Sequence, residues 1–212
     1  MRKTLFIVLL ILIIISSAVF AIYKHDQNKK DKEFLSKLKG EVVFTRRDKS
    51  GVSDIWKINA NKTGEVMLFH NEKDKTRTSF PCWSLSEDKI YFFLYDLIKK
   101  EKQIYEMNTD GTNVKLAENP DRDPEYVNRL KEKDEGGVDT STGDLFLMGN
   151  GQKKLIYDAK YDGKFNTGVS DVSWGHDKKY LIFVDNRYTI LIADTNGKVS
   201  KLTSGSEPDW KY

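Results

Sequence analysis

Cysteine and histidine are scarce in this sequence, with one cysteine and three histidines among 212 residues. A single cysteine cannot form an internal disulfide, and a zinc site needs a cluster of cysteine and histidine ligands. We interpret Cys82 as a small buried apolar residue beside Trp83. The histidines, His25, His70 and His176, lie far apart, and none has a neighbour at ligand spacing. The sequence therefore predicts no metal site.

Motifs of reactive sites are also missing. The sequence has no Gly-x-Ser-x-Gly elbow, no glycine-rich phosphate loop, no His-Glu-x-x-His and no paired cysteines. Carboxylate pairs for acid/base catalysis form in space, and none of the 32 acidic residues stands out by its sequence context. We predict that the protein is not an enzyme and has no catalytic or cofactor-binding residues.

The charges are nearly balanced, with 35 lysines and arginines against 32 acidic residues. Arg2 and Lys3 account for most of the excess, and the other charges of both signs are interspersed. A nucleic-acid-binding domain usually has a basic patch or a pI above about 9. The sequence therefore predicts no nucleic-acid partner.

An apolar run, residues 5–23, follows Arg2 and Lys3. About 20 apolar residues cross a membrane as a helix, and positive residues before the helix stay in the cytoplasm. We interpret residues 1–23 as a hydrophobic helix that is either a transmembrane anchor or a signal peptide. Cleavage of a signal peptide is expected near residues 19–21, where Val-Phe-Ala resembles a small-x-small site. Both interpretations export the remaining chain, as a single-pass membrane protein or as a secreted protein.

Residues 24–39 are dense in charge and contain only three apolar side chains. This composition is typical of a solvated linker. We therefore divide the chain into a hydrophobic segment at 1–23, a charged linker at 24–39 and a folded domain at 40–212.

A short pattern that ends in tryptophan or tyrosine occurs four times in the folded domain. The aromatic residues are spaced by 43, 48 and 36 positions, which is the size of a four-stranded propeller blade. The four segments are Ser79–Trp83, Arg122–Tyr126, Val169–Trp174 and Ser206–Trp210.

Two of these units show four strands each. After Trp83 and after Trp174, a polar turn joins two short apolar strands, with a phenylalanine nine residues after each tryptophan. An alternating third strand then turns on Asp110-Gly111 or Asn196-Gly197 into a fourth strand. Asp-Gly and Asn-Gly accept the positive φ that tight hairpins require.

The first unit, Glu41–Phe69, contains three strands and lacks the opening strand with the tryptophan. Residues Pro208–Tyr212 carry the sequence of such an opening strand and are followed by no further strand. We interpret them as the strand that completes the first blade and closes the ring, because closure removes the open edges of the sheets.

The segments Pro81–Phe92 and Gln103–Asn113 resemble the repeat of TolB-like β-propellers. That family repeats a Trp-Ser-Pro-Asp-Gly turn before an apolar strand and, later, an Ile-Tyr-x-Met-Asn-x-Asp-Gly turn. The resemblance covers roughly residues 40–212. It implies an all-β fold, a propeller of about four blades closed by the C-terminal strand and preceded by one N-terminal hydrophobic helix.

The sequence departs from the family in blade number and in its third unit. TolB-like propellers commonly have six blades, whereas residues 40–212 hold about four. Asn128–Val138 shows no apolar strand where a second strand is expected, and Asp144–Met148 then turns on Asn150-Gly151 into Lys154–Tyr157. The alternative to a closed ring is an incomplete ring that pairs with a second chain.

Aromatic residues at equivalent positions of a repeat are typical of the core between blades rather than of a carbohydrate platform. We assign this role to Trp56, Trp83, Trp174 and Trp210. The acidic turn residues are interpreted as turn chemistry; they are Asp88, Asp110, Asp177 and Asp194. Asn59–Gly64 imitates the start of a calcium loop, but the closing position is His70, so we predict no calcium site.

Export, the TolB-like repeat and the missing catalytic motifs together predict a membrane-tethered protein-interaction module of the bacterial cell envelope. A protein or peptide partner is expected at the propeller loops or channel. The charged segment Asp121–Thr142 is the first candidate for a partner-facing insertion, and the alternative is a decayed blade. The alternative function is an envelope protein that binds or hydrolyses glycan or peptide at the propeller centre, as the aromatic content and Asp-rich turns indicate.

Overall fold

The computed structural model describes residues 2–49, 51–72, 75–124, 137–149, 152–159, 168–175, 178–185 and 188–211, with side chains from residue 11 onward. The chain divides into two compact units, Met1–Leu38 and Lys39–Tyr212. The first unit is helical, and the described residues of the second unit form antiparallel β-sheets. We call the second unit the β domain.

The helix α1 (Arg2–Leu35) extends beyond the hydrophobic segment. It continues through residues 24–35 of the predicted linker, where lysine, glutamate and glutamine favour helix. Lys30 Nζ lies 2.7 Å from Asp26 Oδ2, one turn along the helix, and such a pair stabilises a helix slightly. Most of the predicted linker is therefore helical.

The predicted transmembrane anchor, residues 1–23, lies within α1. Among the residues that the structure describes, no helix combines the length and the apolar character needed to cross a membrane. This finding does not support the predicted anchor.

The β domain contains fifteen strands within its described residues. In chain order they are β1 (Glu41–Arg47), β2 (Ser53–Asn59), β3 (Val66–Phe69), β4 (Thr76–Trp83), β5 (Lys89–Asp96), β6 (Glu101–Asn108), β7 (Lys115–Leu116), β8 (Val138–Asp139), β9 (Leu145–Gly149), β10 (Gln152–Tyr157), β11 (Ser170–Trp174), β12 (Tyr180–Val184), β13 (Thr189–Asp194), β14 (Val199–Ser204) and β15 (Ser206–Lys211). These strands form four sheets, which we number by the repeat unit that forms them. The first (β15-β1-β2-β3), the second (β4-β5-β6-β7) and the fourth (β11-β12-β13-β14) have four strands each, and the third (β10-β9-β8) has three.

The four-strand pattern of the second and fourth units is confirmed. The strands β5 and β6 pair without a bulge from Lys89↔Asn108 to Asp96↔Glu101. The predicted turns close with Gly111 at φ 87° and Gly197 at φ 91°, a backbone region that favours glycine. The hairpins form as the Asp-Gly and Asn-Gly pairs indicate.

The C-terminal strand completes the first sheet, as predicted. Strand β15 pairs antiparallel with β1, with Val42 opposite Trp210 and Val43 opposite Asp209. Closure of the four sheets into a ring stays a prediction, because residues 125–136 and 160–167 lie outside the described residues.

The third unit is confirmed in part. Strands β9 and β10 pair over the predicted segments, from Gln152↔Gly149 to Tyr157↔Leu145. The prediction that no strand precedes them was wrong at its last residue, since Val138 and Asp139 pair with β9 as the short strand β8. Only two residues pair there, too few to leave an apolar pattern in the sequence. Tyr126 and the turn at Asn150-Gly151 lie outside the described residues.

The cores lie between neighbouring sheets. Trp83, 1% exposed, packs with Val43, Ile55 and Phe92, which come from the first two sheets. A second cluster joins the third and fourth sheets through Leu145, Ile156, Val172, Leu181 and Phe183, with Trp174 packed against it. The predicted core role of these two tryptophans is confirmed. Cys82 is buried beside Trp83, as expected for an apolar residue.

Candidate functional site

The repeated tryptophan segments form the same bulge in three sheets. Strands β4, β11 and β15 each form one edge of their sheet, and β15 contacts both others. The residue three positions before each tryptophan has a positive φ: 51° at Phe80, 50° at Asp171 and 55° at Glu207. Strand pairing shifts register at each of these positions. Three non-glycine residues in this conformation at equivalent positions mark a strained feature of the kind that clusters at functional sites.

These three bulges are joined by hydrogen bonds. Phe80 N–H donates to Glu207 Oε2 at 2.7 Å, and Glu207 N–H donates to Asp171 Oδ2 at 3.2 Å. Thr45 Oγ1 on β1 also donates to Glu207 Oε2, at 3.0 Å. The Glu207 carboxylate therefore holds β1, β4 and β15 together at the bulge.

A cavity of about 520 Å³ opens beside Glu207. The strand ends that surround it are the ends of β1, β5 and β14 and the starts of β2, β4, β6 and β15. Its lining residues are Thr45, Arg46, Arg47, Ser53, Arg77, Thr78, Ser79, Phe80, Tyr95, Lys102, Tyr188, Ser204, Gly205, Ser206 and Glu207. The lining combines hydroxyl, aromatic and cationic side chains with a single carboxylate.

Arg46 is held by the fold itself. Its Nη2 lies 2.6 Å from Glu65 Oε1 and 2.6 Å from Thr203 Oγ1, and its Nε donates to Ser204 C=O at 2.9 Å. The guanidinium also stacks over the Trp56 ring at 4.5 Å, a cation–π contact. Its hydrogen bond lowers the pKa of Glu65. Arg46 is therefore a structural side chain, and Trp56 packs against it.

The other cations of the cavity differ in how they are engaged. Lys102 Nζ lies 3.9 Å from the centre of the Phe93 ring. Arg47 and Arg77 are exposed and form neither a hydrogen bond nor an ion pair through their guanidinium groups within the part of the chain that the structure describes. Each of these two guanidinium groups has five N–H donors, which are thus available to solvent or to a ligand at this cavity.

Burial raises the pKa of Glu207, and the nearby Asp171 carboxylate raises it further. The Phe80 N–H, the Thr45 hydroxyl and the charge of Arg47 oppose this effect but do not overcome it. The single acidic side chain of the cavity therefore gains a proton more readily than an ordinary glutamate.

We expect Glu207→Gln to make the stability of the β domain less dependent on pH. In the unfolded chain Glu207 ionises near a pKa of about 4.3, below its folded pKa. The wild type therefore loses unfolding free energy as the pH rises through the folded pKa, whereas the glutamine variant keeps an oxygen acceptor without a charge. In urea unfolding from about pH 4 to pH 7, the unfolding free energy of the variant should rise relative to that of the wild type as the pH increases.

The exposed Glu101→Gln variant is the control, and it should follow the wild type across the same pH range. Parallel pH profiles for the wild type and Glu207→Gln would contradict the effect of burial on Glu207.

The acidic residues of the predicted turns have turn roles. Asp88 accepts the Ser84 hydroxyl, Asp110 accepts Thr112 N–H, and Asp194 accepts Asn196 N–H and Lys198 N–H. Asp177 and His176 lie outside the described residues. The turn interpretation is confirmed for the three described aspartates.

The Asn59–Gly64 segment is a turn stabilised by its own side chains. Asn59 Nδ2 donates to Thr63 Oγ1, and Asn61 Oδ1 accepts the Thr63 N–H. His70 Nδ1 lies 3.0 Å from Asp54 Oδ1, which also accepts Asn71 N–H. Among the described residues, no three histidine, cysteine or acidic side chains are grouped as metal ligands.

The candidate partner-facing segment, Asp121–Thr142, is described only at its two ends. Asp121 Oδ2 accepts Leu85 N–H at 3.2 Å, and Arg122 Nη1 donates to Trp83 C=O at 3.0 Å. Residues 125–136 lie outside the described residues, so the segment stays a prediction.

The sequence does not indicate the cavity, although it contains the segment pattern that forms the bulges. Arg47 and Arg77 come from two different sheets and are far apart in the chain. The one available signal was the serine-x-x-x-tryptophan segment itself, whose second residue lies at the cavity in Phe80 and Glu207.

No family model matches the sequence, and no curated protein matches it. Solved structures similar to this chain include a putative TolB from Agrobacterium tumefaciens (15% identity, TM-score 0.29) and TolB from Acinetobacter baumannii (15% identity, TM-score 0.30). Both alignments cover 79% of this chain, and they cover 48% and 53% of the two TolB chains. An oligogalacturonate lyase in complex with manganese has 15% identity and a TM-score of 0.28, with 72% of this chain and 41% of the lyase covered.

The chain spans about half the length of the two TolB structures.

Proposed function

We propose that the β domain is a non-enzymatic binding module of the cell envelope that takes a protein or peptide partner at the cavity beside Glu207. The observation that carries this proposal is a cavity of about 520 Å³ whose lining includes two arginines, Arg47 and Arg77, whose guanidinium groups form no hydrogen bond or ion pair with the described residues. Pockets of about 300–1,000 Å³ with a few polar groups are typical binding sites.

The lining favours binding over catalysis. Its described residues include no histidine and no cysteine, and its one carboxylate, Glu207, accepts hydrogen bonds from Phe80 and Thr45. A general base must have its proton-accepting atom within reach of a substrate. Glu207 Oε2 is instead used to join strands.

The proposal places the β domain outside the cytoplasm. It is supported by the apolar residues 5–23 behind Arg2 and Lys3, the charge order of a segment whose downstream chain is exported. Membrane tethering is part of the proposal, with cleavage and release of the domain as the alternative.

The test is crosslinking in intact bacteria with the full chain, a C-terminal affinity tag and a membrane-impermeant crosslinker. We expect a reproducible crosslinked envelope protein with the wild type, identified by mass spectrometry, and its loss in Arg47→Ala/Arg77→Ala. The physical reason is that charge-assisted hydrogen bonds to arginine are among the stronger polar contacts of an interface.

The matched control is Lys62→Ala/Lys115→Ala, which also removes two positive charges. Lys62 follows the end of β2, and Lys115 lies on β7, away from the strand ends that line the cavity. This control should capture the same partner. Failure of the reagent to reach the domain in intact cells would contradict export, and equal capture by both double variants would contradict the cavity as the binding site.

A further inference from the structure

The charges of the described residues that line the cavity do not balance. Arg46, Arg47, Arg77 and Lys102 line it, against the single carboxylate of Glu207. Glu65 neutralises Arg46, and Lys102 lies over the Phe93 ring. Within the described part of the chain, Arg47 and Arg77 are therefore two cations at one opening whose guanidinium groups pair with no carboxylate. Cations placed together in a partly enclosed site favour an anionic ligand, because the local dielectric is lower than that of water.

These two cations, Arg47 and Arg77, are arginines rather than lysines. This restricts the chemical class of ligand that the cavity would bind. A guanidinium is planar and presents paired N–H donors that match the two oxygens of a carboxylate. Arg47 lies at the end of β1 and Arg77 near the start of β4, on neighbouring sheets. A ligand that binds both arginines needs either two anionic groups, one for each guanidinium, or a single anionic group that contacts both.

Apolar contact surface lies next to these charges. Phe80 and Tyr95 are partly buried in the lining, and Tyr188 is 68% exposed at the cavity. Tyr188 also has a positive φ, 53°, which is uncommon for an aromatic residue. Aromatic faces bind the aliphatic stems of side chains, a contact that an inorganic anion does not make.

Hydroxyl groups complete the lining at Ser79, Ser204 and Ser206, whereas the Thr78 hydroxyl is buried and donates to Ser53 C=O. Hydroxyls both donate and accept, so they suit the alternating N–H and C=O groups of a peptide backbone. An acidic peptide therefore matches each part of the lining: carboxylates for the arginines, methylene stems for the aromatic rings and backbone groups for the hydroxyls.

We propose that the cavity is a recognition site for an acidic peptide segment of the partner, with its carboxylates bound by Arg47 and Arg77. This assignment rests on the proposed binding function and adds the chemistry of the ligand. The volume of about 520 Å³ accommodates a short stretch of such a segment rather than a folded surface.

The test is fluorescence anisotropy with the purified full chain in non-ionic detergent and a labelled hexapeptide, Gly-Asp-Glu-Asp-Glu-Gly. The neutral hexapeptide Gly-Asn-Gln-Asn-Gln-Gly is compared with it. We expect the acidic peptide to bind the wild type about tenfold or more tightly than it binds Arg47→Ala/Arg77→Ala, and to bind more tightly than the neutral peptide.

Two further variants separate charge from geometry. Lys62→Ala/Lys115→Ala should bind the acidic peptide within about twofold of the wild type, because those lysines lie away from the cavity. Arg47→Lys/Arg77→Lys keeps both charges but loses the paired donors, so its affinity should lie between the wild type and the alanine variant. Far-ultraviolet circular dichroism checks that each variant is folded.

Three results would overturn the assignment: equal binding of the two peptides, equal affinity of the wild type and the double alanine variant, or binding of a galacturonate tetramer in the absence of peptide binding. If crosslinking captures an arginine-dependent partner while the acidic peptide does not bind, the assignment is wrong and the proposed function stands. If the peptide binds through the arginines and no partner is captured, the assignment stands and the proposed envelope partner is wrong.

Discussion

Replacing Trp83 with alanine is expected to lower the unfolding free energy of the β domain by about 3–5 kcal/mol, the cost typical of removing a large buried aromatic side chain. Trp83 is 1% exposed and packs between the first and second sheets with Val43, Ile90, Phe92 and Met107. The alanine leaves a void between two sheets that cannot close without moving both.

Polar contacts add to this cost. Trp83 Nε1 donates to Asp209 C=O at 3.2 Å, a bond that alanine cannot form, whereas the backbone N–H of residue 83, which donates to Asp209 Oδ2 at 2.9 Å, is retained in the variant. Lys211 Nζ lies over the indole ring, 3.9 Å from its centre. Loss of the ring therefore weakens the attachment of β15 to β4 as well as the core.

The measurement is urea unfolding followed by circular dichroism. Trp174→Ala is the matched control, because Trp174 occupies the same position of the repeated segment on β11 but is only partly buried. It should cost less than Trp83→Ala, and Trp83→Phe should fall between the wild type and Trp83→Ala. Equal losses for the two alanine variants would contradict the assignment of Trp83 to a tighter core.

The second large effect is expected at Gly40, which precedes β1. It has a φ of 87°, and a Cβ at this position would lie 2.0 Å from Lys211 C=O on β15. An alanine there has both an unfavourable backbone conformation, about 1–2 kcal/mol, and a steric clash that overpacking data place at about 1–3 kcal/mol more. We expect Gly40→Ala to lower the unfolding free energy by about 2–5 kcal/mol.

Gly51→Ala isolates the clash. Gly51 has nearly the same φ, 88°, but no heavy atom of the described residues lies within 4 Å of a Cβ built there. The difference between the two variants in urea unfolding thus measures the contact with β15. If both substitutions cost the same, the close approach of Gly40 to the C-terminal strand is not present in solution.

Much of the fold could be predicted because strands and tight turns are determined by short stretches of neighbouring residues. The Asp110-Gly111 and Asn196-Gly197 turns require positive φ, and that requirement is visible in two adjacent residues. The pairing of β15 with β1 was predicted because the tryptophan segment near Trp210 matched an opening that the first unit lacked. Repetition within one sequence supplied the long-range information.

The cavity beside Glu207 could not be predicted in the same way. Arg47 and Arg77 follow no repeat, and their proximity arises only when β1 and β4 are placed on neighbouring sheets. The sequence also does not distinguish Arg46 from Arg47. Only the structure shows that Arg46 is bound by Glu65 and Thr203, whereas Arg47 is exposed at the cavity. The strand β8 was missed because two paired residues leave no periodicity.

The pairing of β1 with β15 has a consequence for the order of folding. Thr45 on β1 and Ser206 on β15 are 161 positions apart, yet their hydroxyls lie 2.9 Å from each other at the cavity. Contacts of such high sequence separation form late, since the loop entropy between them must be lost first. During synthesis, Arg47 and Arg77 emerge long before Glu207 joins their strands. The proposed ligand site is therefore among the last parts of the domain to assemble, and under this proposal a chain that binds a ligand there is one whose folding is complete.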